Sequence, residues 1–94
     1  MQVRWLRTAL RNLEEEAAHI AADDRAAARL VVERVLQAVE QLAEQPSLGR
    51  PGRVPGTREL VVAGTRYLVP YRVRRGAIEI LRVFHSSRRL PTRW

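Results

Sequence analysis

Apolar residues recur at helical spacing through the first half of the chain and in alternation through much of the second half, and this change of period divides the sequence. Val3, Trp5 and Leu6 form a short extended opening. Thr8 is a suitable N-cap, and Leu6, Ala9, Leu10, Leu13, Ala17 and Ile20 then fall on one helical face, with Glu14, Glu15 and Glu16 filling the opposite, exposed one. Asp23 and Asp24 interrupt that pattern and offer an N-cap to a second helix, predicted from about Arg25 to Gln45. Ala27, Val31, Val35, Ala38, Val39 and Leu42 make its stripe, and Pro46 ends it. So short a link between two amphipathic helices predicts an antiparallel hairpin.

Between Pro46 and Gly56 the chain turns rich in proline and glycine, which predicts loop. Three strand-forming runs follow, Thr57–Ala63, Arg66–Val73 and Ile78–Phe84. The short links between them predict an antiparallel meander. In the middle run Tyr67, Val69, Tyr71 and Val73 share one face, and Arg66, Leu68 and Arg72 share the other. Pro70 cannot donate to a ladder, so a bulge or an edge position is expected there. Ile78, Ile80, Arg82 and Phe84 share a face of the last run, so Arg82 either lines a pocket or marks an exposed side. The pattern amounts to an α+β fold: an N-terminal strand and a helical hairpin packed on one face of an antiparallel sheet. With no repeat and no low-complexity tract, a single domain over residues 1–94 is expected.

Charge changes the picture more than length does. All 17 basic residues are arginine. Residues 1–45 carry six Arg against eight Asp and Glu, a net of −2, whereas residues 46–94 carry eleven Arg against Glu59 and Glu79, a net of +9. A field of that sign draws an acidic protein or a nucleic acid toward the second half. Without lysine there is no Schiff-base amine, and guanidiniums suit planar recognition of carboxylate and phosphate. The absence of cysteine excludes a disulfide scaffold and a thiolate nucleophile and suits a reducing cytosol. The opening residues carry no signal-peptide pattern and no run approaches a membrane span, so a cytoplasmic chain with no membrane partner is expected. At 94 residues the domain buries about two thirds of its unfolded surface, a thin margin that a binding partner would strengthen.

Candidate chemistry is sparse. His85, at the end of the last run, is the chief acid–base candidate; otherwise it is a solvated strand-end residue. His19 reads as a packing or surface residue. Two distant histidines do not make a metal site, and no metal or cofactor is expected. The glycines after Pro46 lack the strand-before, helix-after setting of a phosphate loop, and no nucleophile elbow is present. Arg88, Arg89 and Arg93 form a basic tail, either solvated or meeting a partner, and Trp94 either packs back or hangs free.

The ordered set Val3-Arg-Trp5, Ala27-Ala28, Pro46-Ser-Leu-Gly49-Arg50, Val54-Pro-Gly-Thr-Arg-Glu-Leu60, Tyr71-Arg-Val73 and Ile78-Glu-Ile-Leu-Arg-Val-Phe-His85-Ser-Ser-Arg88 resembles the RelE/ParE superfamily of toxins over nearly the whole chain. The resemblance implies a growth-inhibiting toxin of a type II toxin–antitoxin system, such as those that stabilise plasmids. A cognate antitoxin would wrap it and hold it inactive as a hetero-oligomer. Such toxins divide into inhibitors of DNA gyrase and ribosome-dependent mRNA endonucleases, and fold alone does not separate them. The nuclease branch places two basic residues on the first meander strand, at about Glu59 and Val61 of this sequence, and an arginine on the second, at about Leu68. A glutamate and two aliphatic residues cannot stabilise a charged phosphorane. The resemblance therefore favours the gyrase inhibitor, with Arg66, Arg72, Arg88 and Arg89 as contacts to target or antitoxin. In the nuclease alternative, acting on mRNA in the ribosome, Arg58, Arg82 and His85 would form a different catalytic set. A non-toxic nucleic-acid-binding module is the third reading, resting on the arginines alone.

Overall fold

The computed structural model describes residues 1–89 and 93–94. Strand β1 (Gln2–Trp5) leads into helix α1 (Arg7–Ala21) and helix α2 (Arg25–Gln41). Then come β2 (Arg50–Pro51), β3 (Arg58–Val61), β4 (Tyr67–Arg74), β5 (Ala77–Ile80) and β6 (Phe84–His85). The strands form one sheet in the order β1-β5-β4-β3-β2, with β6 also paired to β4. The expected α+β architecture is present, with the helical hairpin on one sheet face. The sheet is mixed rather than wholly antiparallel, because β1 runs parallel to β5, with Val3 beside Ile78 and Trp5 beside Ile80.

That long-range pairing also moves the start of α1. Leu6 N–H continues the ladder by donating to Ile80 O at 3.1 Å, and Leu6 O accepts from Leu10 N at 3.1 Å, so the helix begins at Arg7 and Thr8 does not cap it. Its inner stripe is Ala9, Leu13 and Glu16, whereas Leu10 lies off it and is exposed. In α2 the expected cap is present: Asp24 Oδ1 accepts from Ala27 N at 3.0 Å. The helix stops at Gln41 rather than Gln45, and i→i+3 bonds from Leu42, Ala43 and Glu44 tighten the end ahead of Pro46. Val35, Val39 and Leu42 pack with Leu13 against Leu60, Val62, Val69, Tyr71, Ile78 and Ile80, while Ile20 and Val31 are half-buried at the rim. Tyr71 ties the core to the loop after α2, donating to Pro46 O at 2.7 Å and accepting from Gly49 N at 2.8 Å.

Strand β4 is central and carries Pro70. Leu81 N donates to Pro70 O at 2.9 Å, and a strand residue points its N–H and C=O to the same side, so the missing donor of Pro70 faces the stretch Leu81–Val83. That stretch is where the ladder breaks. The last predicted strand is therefore two, β5 and β6, and the proline sits opposite the interruption rather than at an edge. The break shifts the phase: Ile78, Ile80 and Val83 face the helices, and Arg82 leaves the isoleucine row. Val73, on the face of the buried Tyr67, Val69 and Tyr71, is exposed, while Leu68 and Pro70 are buried on the opposite face. Arg75 and Gly76 join β4 to β5 with φ of 52° and 74°, as a two-residue hairpin of type I′ requires.

Candidate functional site

Arg58, Arg82 and His85 are each bonded to different partners. Arg58, in β3 opposite Tyr71, donates from Nη1 to Gly49 O at 2.8 Å. Arg82, in the interruption after β5, donates to the main-chain oxygens of Leu81 and Trp94 at 2.6 and 2.7 Å. His85, in β6, lies opposite Tyr67. Arg58 and His85 thus flank opposite sides of β4, four residues apart along it, or about 13 Å lengthwise and about 10 Å across. Acid–base cleavage needs its groups within hydrogen-bond reach of one reacting atom, and Arg58 and His85 start from backbone positions well separated across the sheet.

His85 instead joins a cluster reached from α1. Its ring meets Tyr67 edge to face at 5.2 Å, and Nδ1 accepts from Ser87 N at 3.1 Å with Ser87 Oγ 2.6 Å away. Tyr67 donates its hydroxyl to Glu16 Oε1 at 3.0 Å, and Arg88 Nη2 donates to Glu16 Oε2 at 2.9 Å. Burial, together with the hydrogen bond and charge of Glu16, pushes the Tyr67 phenol up to about 12 against the opposing pull of Arg88. Asn12 Oδ1 accepts from Val83 N at 3.2 Å, so Asn12 and Glu16 together hold the interruption and the tail behind it. Glu14 and Glu15 are exposed as expected, but Glu16 is buried. Its spacing from Ala9 and Leu13 placed it on the inner stripe, a signal outweighed by residue type.

The four arginines expected to meet a partner differ in their freedom. Arg66 and Arg89 are exposed. Arg72 Nε donates to Glu79 Oε1 at 2.7 Å, and that hydrogen bond holds the Glu79 carboxyl below the usual carboxylate range. Arg88, 56% exposed, is tied to Glu16.

The positions matched to nuclease cations are put to other use. Leu68 is buried and Val61 exposed. Glu59, only 1% exposed, accepts from Arg53 N at 3.0 Å and from the Arg50 guanidinium at 3.4 Å. The loop it secures is closed by Gly52 N donating to Thr57 O at 2.8 Å and Thr57 Oγ1 donating to Val54 O at 2.7 Å. Between this loop and the residues Leu81, Arg82, Arg93 and Trp94 lies a cleft of about 590 Å³ on the sheet face turned away from the helices. Trp94 packs back, its ring 5.8 Å from Phe84. Among the described residues no group of three His, Cys, Asp or Glu could hold a metal ion, and no helix is long and apolar enough to cross a membrane.

Comparison with known proteins agrees with this architecture. A Sinorhizobium fredii protein named "Putative toxin Y4kP" is 49% identical over 90 residues, covering 96% of this chain and 93% of its own. The solved structure titled "Chromosomal ParDE TA system from P. aeruginosa" superposes with a TM-score of 0.83 at 28% identity, covering 90% of this chain and 95% of that one. Residues 3–90 match the profile described as ParE toxin of type II toxin-antitoxin system, parDE. The chain thus belongs to the ParE toxin family of type II toxin–antitoxin systems.

Proposed function

We propose that this toxin acts in the cytoplasm by binding a protein, DNA gyrase, and is neutralised by a cognate antitoxin in a hetero-oligomer. The observation that carries the reading is the bonding of Arg58, Arg82 and His85 to different partners, together with Glu59, Val61 and Leu68 where message-cleaving relatives carry cations. Inhibition by binding requires no proton transfer. The surplus of arginine over residues 46–94 supports recognition of acidic protein surfaces.

Ribosome-dependent mRNA cleavage is the second reading, favoured by the convergence of Glu16, Tyr67, His85 and Arg88 at one end of β4. Against it, Glu16 and Tyr67 are buried and bonded to each other, and a phenol pushed up to about 12 is a poor acid at neutral pH. A nucleic-acid-binding module lacks support from stacking, since Tyr67 and Tyr71 are in the core.

The two leading readings separate at His85. Removing a general acid or base typically costs about 10²–10⁴ in rate. We expect His85→Ala to retain most of the toxicity in cells, with antitoxin binding confirming a folded chain. Near-complete loss of toxicity in a variant that still binds antitoxin would favour the nuclease.

A further inference from the structure

The cleft beside Trp94 has the chemistry of a peptide site. Arg72, which also holds Glu79 through Nε, Arg82 and Arg93 line it, and no Asp or Glu occurs among its described lining residues. Leu6, Val54 and Trp94 supply apolar wall between those cations. One side is preorganised, because buried Glu59 fixes the 50–57 loop through the Arg53 N–H and the Arg50 guanidinium. On the other side Arg82 seats Trp94 by its main-chain oxygen, and the enclosed Trp94 Nε1 has no acceptor among the described residues.

We propose that this cleft receives an acidic segment of the target protein in which aspartate or glutamate alternates with an apolar residue. The inference rests on the reading that the toxin acts by binding protein. Clustered guanidiniums pair bidentately with carboxylates, and the walls between them suit aliphatic side chains. A nucleic acid would call for an extended cationic track and exposed aromatic faces, whereas these cations surround one cleft and the Trp94 ring packs against Phe84. The target, rather than the antitoxin, is the occupant, since inhibition by binding needs a toxin surface that meets the target itself, and this cleft is bounded by arginines and apolar side chains. Buried Glu59 builds one wall of it.

The chain has two tryptophans, Trp5 and Trp94, so each indole N–H gives its own resonance. An acetylated peptide alternating aspartate and leucine should move the Trp94 indole signal of the full chain and leave Trp5 still. The lysine–leucine counterpart and oligouridylate should not. In gyrase supercoiling, the double variant Arg72→Gln with Arg93→Gln should need about tenfold more protein for equal inhibition, with antitoxin affinity kept. Arg25→Gln, on the far end of α2, should behave as wild type. An unmoved Trp94 signal, a stronger response to oligouridylate, or loss of antitoxin binding with inhibition intact would each overturn the proposal. If wild type inhibits gyrase and the double variant does so equally, the cleft assignment falls and the protein-binding reading stands. If wild type leaves gyrase untouched while the acidic peptide still moves Trp94, the functional reading falls and the site stands.

Discussion

Two tyrosine hydroxyls bear most of the polar order inside the core. Tyr71 satisfies Pro46 O and Gly49 N at once, and Gly49 is there because a Cβ would stand 2.6 Å from the Tyr71 ring. Tyr71→Phe leaves both main-chain groups without that partner and should lower stability by about 1–3 kcal/mol in denaturant melts. Tyr67 gives a pH-dependent prediction. Its phenol keeps its proton to about 12 in the folded chain but to 10.0 when unfolded. Between those values the unfolded chain alone ionises, so the stability this group contributes is complete below pH 10 and declines toward pH 12, by at most about 1.4 kcal/mol per pH unit. Tyr67→Phe should flatten that alkaline decline, and an unchanged slope would contradict a phenol raised by burial and by Glu16. Alternation marked both tyrosines as inward, but their partners, 25 and 51 residues away, lie beyond local pattern.

At the scale of elements, legibility in the sequence followed the range of the interactions that decide each one. The α2 stripe and its Asp24 cap are local and were readable from spacing alone. Leu42 ends that stripe fully buried, and Leu42→Ala should cost about 2–5 kcal/mol. The parallel β1–β5 pairing joins residues some 75 positions apart, and no local period announces it. The division of the last strand depends on which neighbour Pro70 faces, which becomes fixed only once β4 is central. The β4–β5 turn offers a stabilising change: Arg75 holds a positive φ that asparagine and glycine tolerate better, so Arg75→Asn should raise stability by up to about 1 kcal/mol. A lower melting temperature in that variant would show that the arginine makes a compensating contact.

For the molecule as a whole, charge asymmetry and a small core point the same way. The family and the fold were legible because they are spread over the ordered motifs of the whole chain; the site was less so, because Glu16 and Glu59 act through burial rather than through a motif. A partner that binds only the folded toxin adds about 2.7 kcal/mol at a hundredfold excess over Kd, which for a domain of this size raises the melting temperature by about 10 °C or more. We expect that rise on adding the cognate antitoxin, and an unchanged midpoint at saturation would exclude neutralisation through the native state. Inhibition of gyrase by binding is read out by adding purified toxin to gyrase and relaxed plasmid. Supercoiling should be lost, should return when antitoxin is added, and should be lost as fully with His85→Ala. Intact supercoiling, beside codon-specific cuts in translated mRNA that His85→Ala abolishes, would contradict it.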